Sequence, residues 1–225
     1  MLDTTKPSLA LFDFDGTITR EDMFSLFLHY SAYGLRKRVG KLAIMPFYAL
    51  YKLGVLPARV MRPLSSFIAF SGKETQHIEA IGATFAHEVI PLYLRPEAME
   101  RLAWHQHRGD TIVVVSASLN AYLKPWCEAN GYHLLCSELI SEQPKLSGFY
   151  QQGDCSLERK VSRVKAAFSL DEFASVYAYG DTHEDIPMLN WQTTRCSTGA
   201  SGEQANNDMC SDFQDNHSTK VVVLD

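Results

Sequence analysis

The chain of 225 residues carries a formal net charge of −5, with 46% hydrophobic and 21% charged residues. This excludes a disordered polymer and accommodates one α/β core with an inserted subdomain. Five cysteines, Cys127, Cys136, Cys155, Cys196 and Cys210, form no Cys-x-x-Cys pair and leave one over in any pairing scheme. Reduced thiols in a cytoplasmic protein are therefore expected rather than a disulfide scaffold. The polar start from Met1 to Pro7 predicts no signal peptide, and neither zinc-ligand spacing nor an internal repeat is visible.

The first expected element is a strand over 8–14, where the apolar run Leu9-Ala10-Leu11-Phe12 leads into Asp13-Phe14-Asp15-Gly16-Thr17. Burying two carboxylates at a strand end is costly unless a cation or a reaction uses them. Asp13 can present its carboxylate both to a metal and to an electrophile. Asp15 can give its backbone carbonyl to the same metal and keep its side chain for proton transfer. Gly16 and Thr17 turn the chain so that backbone N–H groups face an anion. The pattern suits attack of a carboxylate on phosphorus. A calcium loop would need glycine at its sixth position and glutamate at its twelfth, where Ile18 and Phe24 stand. A turn with two solvated aspartates remains the plain alternative at this point.

The next stretch is unusual in charge. Between Met23 and Lys73 there is no Asp or Glu, while Arg36, Lys37, Arg38, Lys41, Lys52, Arg59, Arg62 and Lys73 give +8. Aromatic residues run through it, from Phe24 and Phe27 to Phe67 and Phe70, with helical spacing in Phe24, Phe27, Leu28 and in Leu50, Leu53, Gly54. Ser71-Gly72-Lys73-Glu74 reads as a capping box for a helix from Thr75 to Val89. Two readings are open. The cations can sit on a solvated helix face above an aromatic cap core. Alternatively, a basic, aromatic surface suits an amphipathic phosphate ester such as a lipid phosphate and peripheral contact with an anionic membrane. The uncharged run Leu42–Tyr51 is too short to span a bilayer and contains Pro46.

After Pro91 the chain rejoins the core, with a helix opening at Pro96 and ending near Gly109. A buried-type strand over 110–116 ends in Ser116-Ala117-Ser118. Ser116 can donate to a phosphate oxygen, and Ser118 reads as the N-cap of a helix from Leu119 to Asn130 that stops at Gly131. A strand over 133–137 and a hairpin around Lys145–Tyr150 follow. Ser156 is the expected cap of a helix carrying Lys160, which by spacing alone is an ordinary solvated lysine. A strand over 175–180 then delivers Asp181, with Asp185 four residues on and Pro187 suited to a helix start. In an open parallel sheet, ligands gather outside the carboxyl ends of the strands, so both acid pairs should meet at one edge. Asp13, the Asp15 carbonyl and Asp181 would hold a hard cation such as Mg²⁺, and Asp185 would orient a ligand or a metal-bound water. Asp181–Asp185 also reads as an acidic helix N-cap, which does not exclude metal binding. Short strands are expected over 194–197 and 220–224, with loop between 198 and 219.

These residues resemble the haloacid dehalogenase superfamily of phosphohydrolases, in the branch that includes the phosphoserine phosphatases. Its four motifs occur in order: Asp13 to Thr17, Ser116, Lys160, and Gly180 to Asp185. The resemblance implies a doubly wound parallel α/β core over 1–21 and 92–225, with a helical cap inserted over 22–91. It implies that Asp13 is a nucleophile forming an aspartyl-phosphate and that Asp15 is the general acid/base. Gly16, Thr17, Ser116, Ala117 and Lys160 would bind the phosphoryl group, and Asp181 would complete a Mg²⁺ site with Asp13 and Asp15.

The expected activity is hydrolysis of a small-molecule or amphipathic phosphomonoester. The alternatives are transfer to an acceptor other than water, phosphoserine hydrolysis proper, and a non-catalytic binding module, which the retention of Asp13 and Asp15 disfavours. Two departures bear on substrate. Ser116-Ala117-Ser118 replaces the branch's usual Ser-Gly-Gly. Asp22, a cap specificity candidate, stands nine residues beyond the nucleophile where the branch usually has glutamate. No nucleic-acid motif accompanies the basic segment, and the pI is near 5.9, so no nucleic-acid partner is expected.

Overall fold

The computed structural model describes residues 6–32, 44–190 and 220–222. The central sheet contains β1 (Leu9–Phe12), β2 (Thr111–Leu119), β3 (His133–Ser137), β6 (Val176–Gly180) and β7 (Lys220–Val222), in the order β3-β2-β1-β6-β7. The strand β1 lies between two parallel neighbours, with Leu9 opposite both Thr111 and Val176. The chain therefore winds outward through β2 and β3, then crosses to the other side of β1 for β6. That reversal leaves a crevice at the carboxyl ends of β1 and β6.

The closing strand corrects the all-parallel expectation: β7 pairs with β6 antiparallel, with Ala178 opposite Val222. The expected strand over 194–197, the loop over 198–219, and Arg36, Lys37, Arg38 and Lys41 lie outside the described residues.

Alternating side chains divide the core in two, as the pleat requires of strands buried on both faces. On one face Ala10, Phe12, Ile112, Val114, Tyr177 and Tyr179 join the larger cluster. On the other, Leu9, Leu11, Val113, Val115 and Ala178 pack with Cys155, Val164, Met188 and Leu189. Phe12 and Tyr179 stack at 4.2 Å. Beside them His105 bridges Asp110 (Nδ1–Oδ2 2.7 Å) and the Tyr179 hydroxyl (3.0 Å), so this polar group is paired within the core.

The helices are α1 (Met23–Ser31), α2 (44–52), α3 (Ala58–Phe70), α4 (Thr75–Glu88), α5 (Pro96–Arg108), α6 (Asn120–Asn130) and α7 (Glu158–Ala167). The first four belong to the inserted segment, yet two of them are welded to the core. Phe27 of α1 and Phe85 of α4 meet Tyr122 of α6 at ring separations of 4.8 and 5.3 Å. Gly82 makes this approach possible: a Cβ there would lie 1.9 Å from the Ala121 carbonyl oxygen.

A separate two-stranded sheet, β4 (Leu139–Glu142) with β5 (Lys145–Tyr150), supports α3. The hydroxyls of Ser66 and Tyr150 lie 2.8 Å apart across that contact.

Three capping expectations are corrected. The N-cap of α4 is Glu74, with no side-chain cap, because the Thr75 N–H donates instead to the Pro144 carbonyl across the hairpin (2.9 Å). Helix α7 starts after Leu157, at φ 53°, rather than from a Ser156 cap. Ser118 lies within β2, and α6 begins after Leu119. For α4 a tertiary contact, and for α6 a continued strand, overrides a local propensity.

Candidate active site

Four segments that are distant in sequence converge at the carboxyl edge of the sheet. Asp13 leaves β1 with its backbone N–H donating to the Tyr179 carbonyl (2.9 Å), which continues the pairing with β6 by one residue. Its side chain is 8% exposed and faces that of Lys160, which is 2% exposed. The Lys160 ammonium lies 2.5 Å from Asp13 Oδ1 and 2.6 Å from Asp185 Oδ1. A buried lysine between two carboxylates is stable as a cation; their charges more than offset its desolvation and hold its pKa above the ordinary lysine range. Burial, opposed by Lys160 and reinforced by Asp185 and Asp15, raises Asp13 above the usual carboxylate range.

Asp15 is held from both sides. Oδ1 accepts the Met23 N–H at the start of α1 (2.7 Å). Oδ2 accepts from Ser118 Oγ in a short contact and from Ser116 Oγ at 3.4 Å. Burial pushes its pKa up to about 6, aided by the negative charge of Asp22 and opposed by the Ser118 and Met23 hydrogen bonds and the positive charge of Arg62. Asp22 itself N-caps α1, accepting from Ser25 N (3.3 Å) and Ser25 Oγ (2.6 Å), and lines the cavity. Ser116 Oγ also accepts the Ser118 N–H (3.0 Å), and Ala117 lines the same wall.

Gly16 has φ +82°, and a Cβ there would fall 2.1 Å from Asp181 Oδ2. Glycine is thus required both for the turn and for the close approach of the second acid. Thr17 Oγ1 donates to Asp181 Oδ1 (3.2 Å), so its hydroxyl serves the acid loop. Burial and the neighbouring Asp185 raise the Asp181 pKa.

Asp185 closes a capping box: its Oδ2 accepts from Thr182 N (3.1 Å) and Thr182 Oγ1 (2.9 Å). The helical turn over His183–Asp185 then leads into helical residues 186–190. The acidic residue of this loop therefore caps a helical turn, and its other oxygen contacts Lys160 at the same time.

Carboxylate oxygens of Asp13, Asp181 and Asp185 lie within 4.8 Å of one another, a spacing that one small cation can bridge. Asp15 adds a fourth acid, whereas Lys160 is the cation in direct contact with Asp13. The donor set is all oxygen, which fits Mg²⁺ rather than a soft metal. Asp185 has both oxygens engaged, by Lys160 and Thr182, so Asp13 and Asp181 are the better-placed carboxylates.

Above these groups opens a cavity of about 480 Å³. Its floor is polar, with Asp13, Asp15, Ser116, Lys160 and Asp181. Its upper wall is mixed: Phe24 and Leu28 of α1, Ile44, Tyr48 and Tyr51 of α2 and Met61 of α3 stand beside Asp22, Ser25, His29, Arg62 and Ser65.

Two participants escaped sequence reading. Ser118 could have been found: it lies two residues beyond Ser116 in the same strand and so on the same face. Arg62 gave no local signal. From α3 it forks onto Asp154 (Nε–Oδ1 3.0 Å, Nη2–Oδ2 2.9 Å) and reaches Glu184 (2.7 Å).

A profile of the haloacid dehalogenase-like hydrolase family matches residues 10–190. The chain belongs to that family. It is 31% identical over 190 residues to Protein CicA of Caulobacter vibrioides, covering 82% of each chain. It is also 29% identical over 123 residues to a probable phosphatase of Mycobacterium tuberculosis, covering 53% of this chain and 42% of that one. The fold is shared with a Bordetella pertussis protein of unknown function at TM-score 0.71 and 23% identity, covering 83% and 87% of the two chains. It is likewise shared with a probable phosphoserine phosphatase from Vibrio cholerae at TM-score 0.61 and 17% identity, covering 84% and 55%.

Proposed function

We propose that this protein is a Mg²⁺-dependent phosphomonoester hydrolase that works through an aspartyl-phosphate at Asp13, and that its substrate is an amphipathic phosphate ester. The observation that carries this reading is the convergence of Asp13, Asp15, Ser116, Lys160 and Asp181 at one strand edge beneath a cavity whose roof is partly apolar.

Lys160 engages Oδ1 of Asp13, which leaves Oδ2 to attack phosphorus. As the O–P bond forms, the bond from phosphorus to the leaving oxygen breaks, and Asp15 donates its proton to that alkoxide. Asp15 then takes a proton from the water that hydrolyses the aspartyl-phosphate, returning Asp13 and releasing inorganic phosphate. A pKa of about 6 lets Asp15 serve in both directions near neutral pH. Lys160 and the Ser116 hydroxyl neutralise and orient the phosphoryl oxygens, with backbone N–H groups from Gly16 to Thr17 and at Ala117 facing the same anion. Asp13, Asp181 and the Asp15 carbonyl would hold Mg²⁺, which when bound offsets the repulsion between an anionic nucleophile and an anionic ester. Asp185 positions Lys160.

The cap-side wall bears on the substrate. Beside Asp22, Ser25, His29 and Arg62 it offers Phe24, Leu28, Ile44, Tyr48, Tyr51 and Met61, against which an ester with an apolar portion would bury that portion.

The test is a trap of the intermediate. Borohydride added during turnover should convert Asp13 to homoserine, as read by peptide mass spectrometry. Continued turnover with unmodified Asp13 overturns the covalent mechanism. Parallel rates on phosphoserine and on a short-chain phosphatidic acid decide the substrate class.

A further inference from the structure

The helix α2 and the turn after it have no polar side. From residue 44 to residue 56 the sequence is Ile-Met-Pro-Phe-Tyr-Ala-Leu-Tyr-Lys-Leu-Gly-Val-Leu, with Lys52 as its one charged residue. One face, marked by Ile44, Tyr48 and Tyr51 at i, i+4 and i+7, looks into the cavity. The rest of the surface faces outward: Met45 is 62% exposed, Leu53 76% and Val55 67%, with Phe47 and Leu50 also exposed. A helix that is apolar all round belongs either in a core or in a lipid phase. Water-facing residues of this size and number, clustered at one tip, mark a contact surface.

Charge selects the occupant. Among the described residues two exposed cations belong to this tip: Lys52, whose ammonium lies 5.6 Å over the Tyr48 ring, and Arg59 at the start of α3. They belong to a stretch, Met23–Lys73, with eight Lys or Arg and no acid, while the chain as a whole is at −5. Lys52 and Arg59 therefore draw the tip to an anionic surface, while the chain's net charge of −5 is repelled from it, which favours a tip-first approach. No helix among the described residues is long and apolar enough to cross a membrane. At 1.5 Å per residue the described turns of α2, 44–52, extend about 14 Å, a length suited to lying in the interface.

We infer that α2 and the turn to Val55 form a membrane-docking tip that seats in the interface of an anionic bilayer. Docking brings the apolar wall of the cavity into continuity with the lipid. A phosphomonoester lipid can then reach Asp13 with its chains still in the membrane and only its head group in the cavity. The purpose of docking rests on the phosphatase reading above, but its measurement is binding and does not depend on turnover.

The test uses the full chain in co-sedimentation with two kinds of vesicle, mixed phosphatidylcholine–phosphatidylglycerol and pure phosphatidylcholine. The protein should pellet with the anionic vesicles at low salt, weakly with the neutral ones, and much less in about 1 M NaCl. The double variant Leu53→Glu/Val55→Glu changes two outward side chains that line no part of the cavity. It should keep the wild-type melting temperature and its rate on a small soluble phosphate ester, and lose roughly tenfold or more in vesicle affinity. Failure to pellet with anionic vesicles at low salt overturns the inference, as does undiminished pelleting of the double variant. A wild-type dimer in sedimentation velocity that the double variant abolishes would assign the tip to a second copy of the chain and equally overturn it. Hydrolysis of the soluble ester without vesicle binding would leave the phosphatase reading standing and remove only the docking.

Discussion

Arg62 should hold the inserted helices over the site, and Arg62→Ala measures how strongly. Its guanidinium makes two parallel contacts with Asp154, at 3.0 and 2.9 Å, and two with Glu184, at 3.0 and 2.7 Å. Side-chain exposure is 17% for Arg62, 4% for Asp154 and 19% for Glu184, so the pair with Asp154 is the buried one. Removing one partner of a buried pair strands the other charge and costs about 3–5 kcal/mol. Water entering from the cavity side relieves part of that, which puts the expected loss near the lower end, about 3 kcal/mol. For a chain of this size each kcal/mol moves the midpoint by about 2–4 °C, so Tm should fall by roughly 6–12 °C.

Urea unfolding and a thermal melt measure the loss. Adding Asp154→Asn to the Arg62→Ala background should restore part of it, because the stranded charge is then gone. Arg62→Lys should fall in between, since an ammonium keeps the charge but not the two-pronged geometry. A loss below about 1 kcal/mol, or no recovery in the double variant, would refute the assignment of Arg62 as a buried tether.

Four further outcomes are expected. Asp13→Asn should abolish hydrolysis of a soluble phosphate ester while the chain still folds, and Asp15→Asn should reduce kcat about as severely; a tenth of wild-type activity in pure Asp13→Asn would contradict the first. Hydrolysis should stop in excess chelator and return with Mg²⁺, excess Ca²⁺ should inhibit, and Asp181→Ala should raise the Mg²⁺ requirement more than Asp185→Ala; full activity in chelator would end the metal assignment. Gly82→Ala should destabilise by about 1–3 kcal/mol in urea unfolding, opposite in sign to an ordinary helical Gly→Ala change, because the new Cβ would meet the Ala121 carbonyl oxygen at 1.9 Å. Burial holds the His105 pKa below its ordinary 6.5 despite Asp110 beside it, so as pH falls through 6.5 the unfolded chain gains a proton that the folded chain resists. Stability should then drop with acidification, and His105→Gln should lose less than wild type between pH about 7.5 and 5.5; equal losses would refute it.

The legible part of the site was the part encoded locally. An apolar strand that runs into acids announces itself at Asp13 and at Asp181, because strand, turn glycine and carboxylate are consecutive in the chain. Lys160 is different. Its partners are 147 and 25 residues away, so spacing alone favours a solvated lysine, and only the family resemblance put it at the site. Arg62 lay further out of reach, with partners 92 and 122 residues distant and no motif of its own. The misread caps have a similar origin. The Ser71–Glu74 box has the right residues, but the Thr75 N–H finds the Pro144 carbonyl instead. The antiparallel closing strand was also hidden, since β7 follows a long stretch without hydrophobic periodicity that could carry a direction.

The inserted segment is anchored unevenly, and that unevenness fits a site which must admit a substrate with two unlike ends. Helix α4 is pinned to α6 by Gly82 and by the rings of Phe85 and Tyr122. Helix α3 is pinned by the β4–β5 hairpin and by Arg62. These anchors fix Asp15 relative to α1, because Met23 N–H holds its Oδ1, and they fix the acid loop through Glu184. The phosphate end of the cavity is therefore built from rigid elements, as phosphoryl transfer demands of groups that act mainly by position. Helix α2 has neither kind of anchor among the described contacts. It offers apolar side chains to the cavity on one face and to the outside on the other. The outward face of α2 is thus separate from the helices that fix the catalytic groups, so substitutions at Leu53 and Val55 should change which esters reach Asp13 while leaving untouched how fast a soluble one is cleaved.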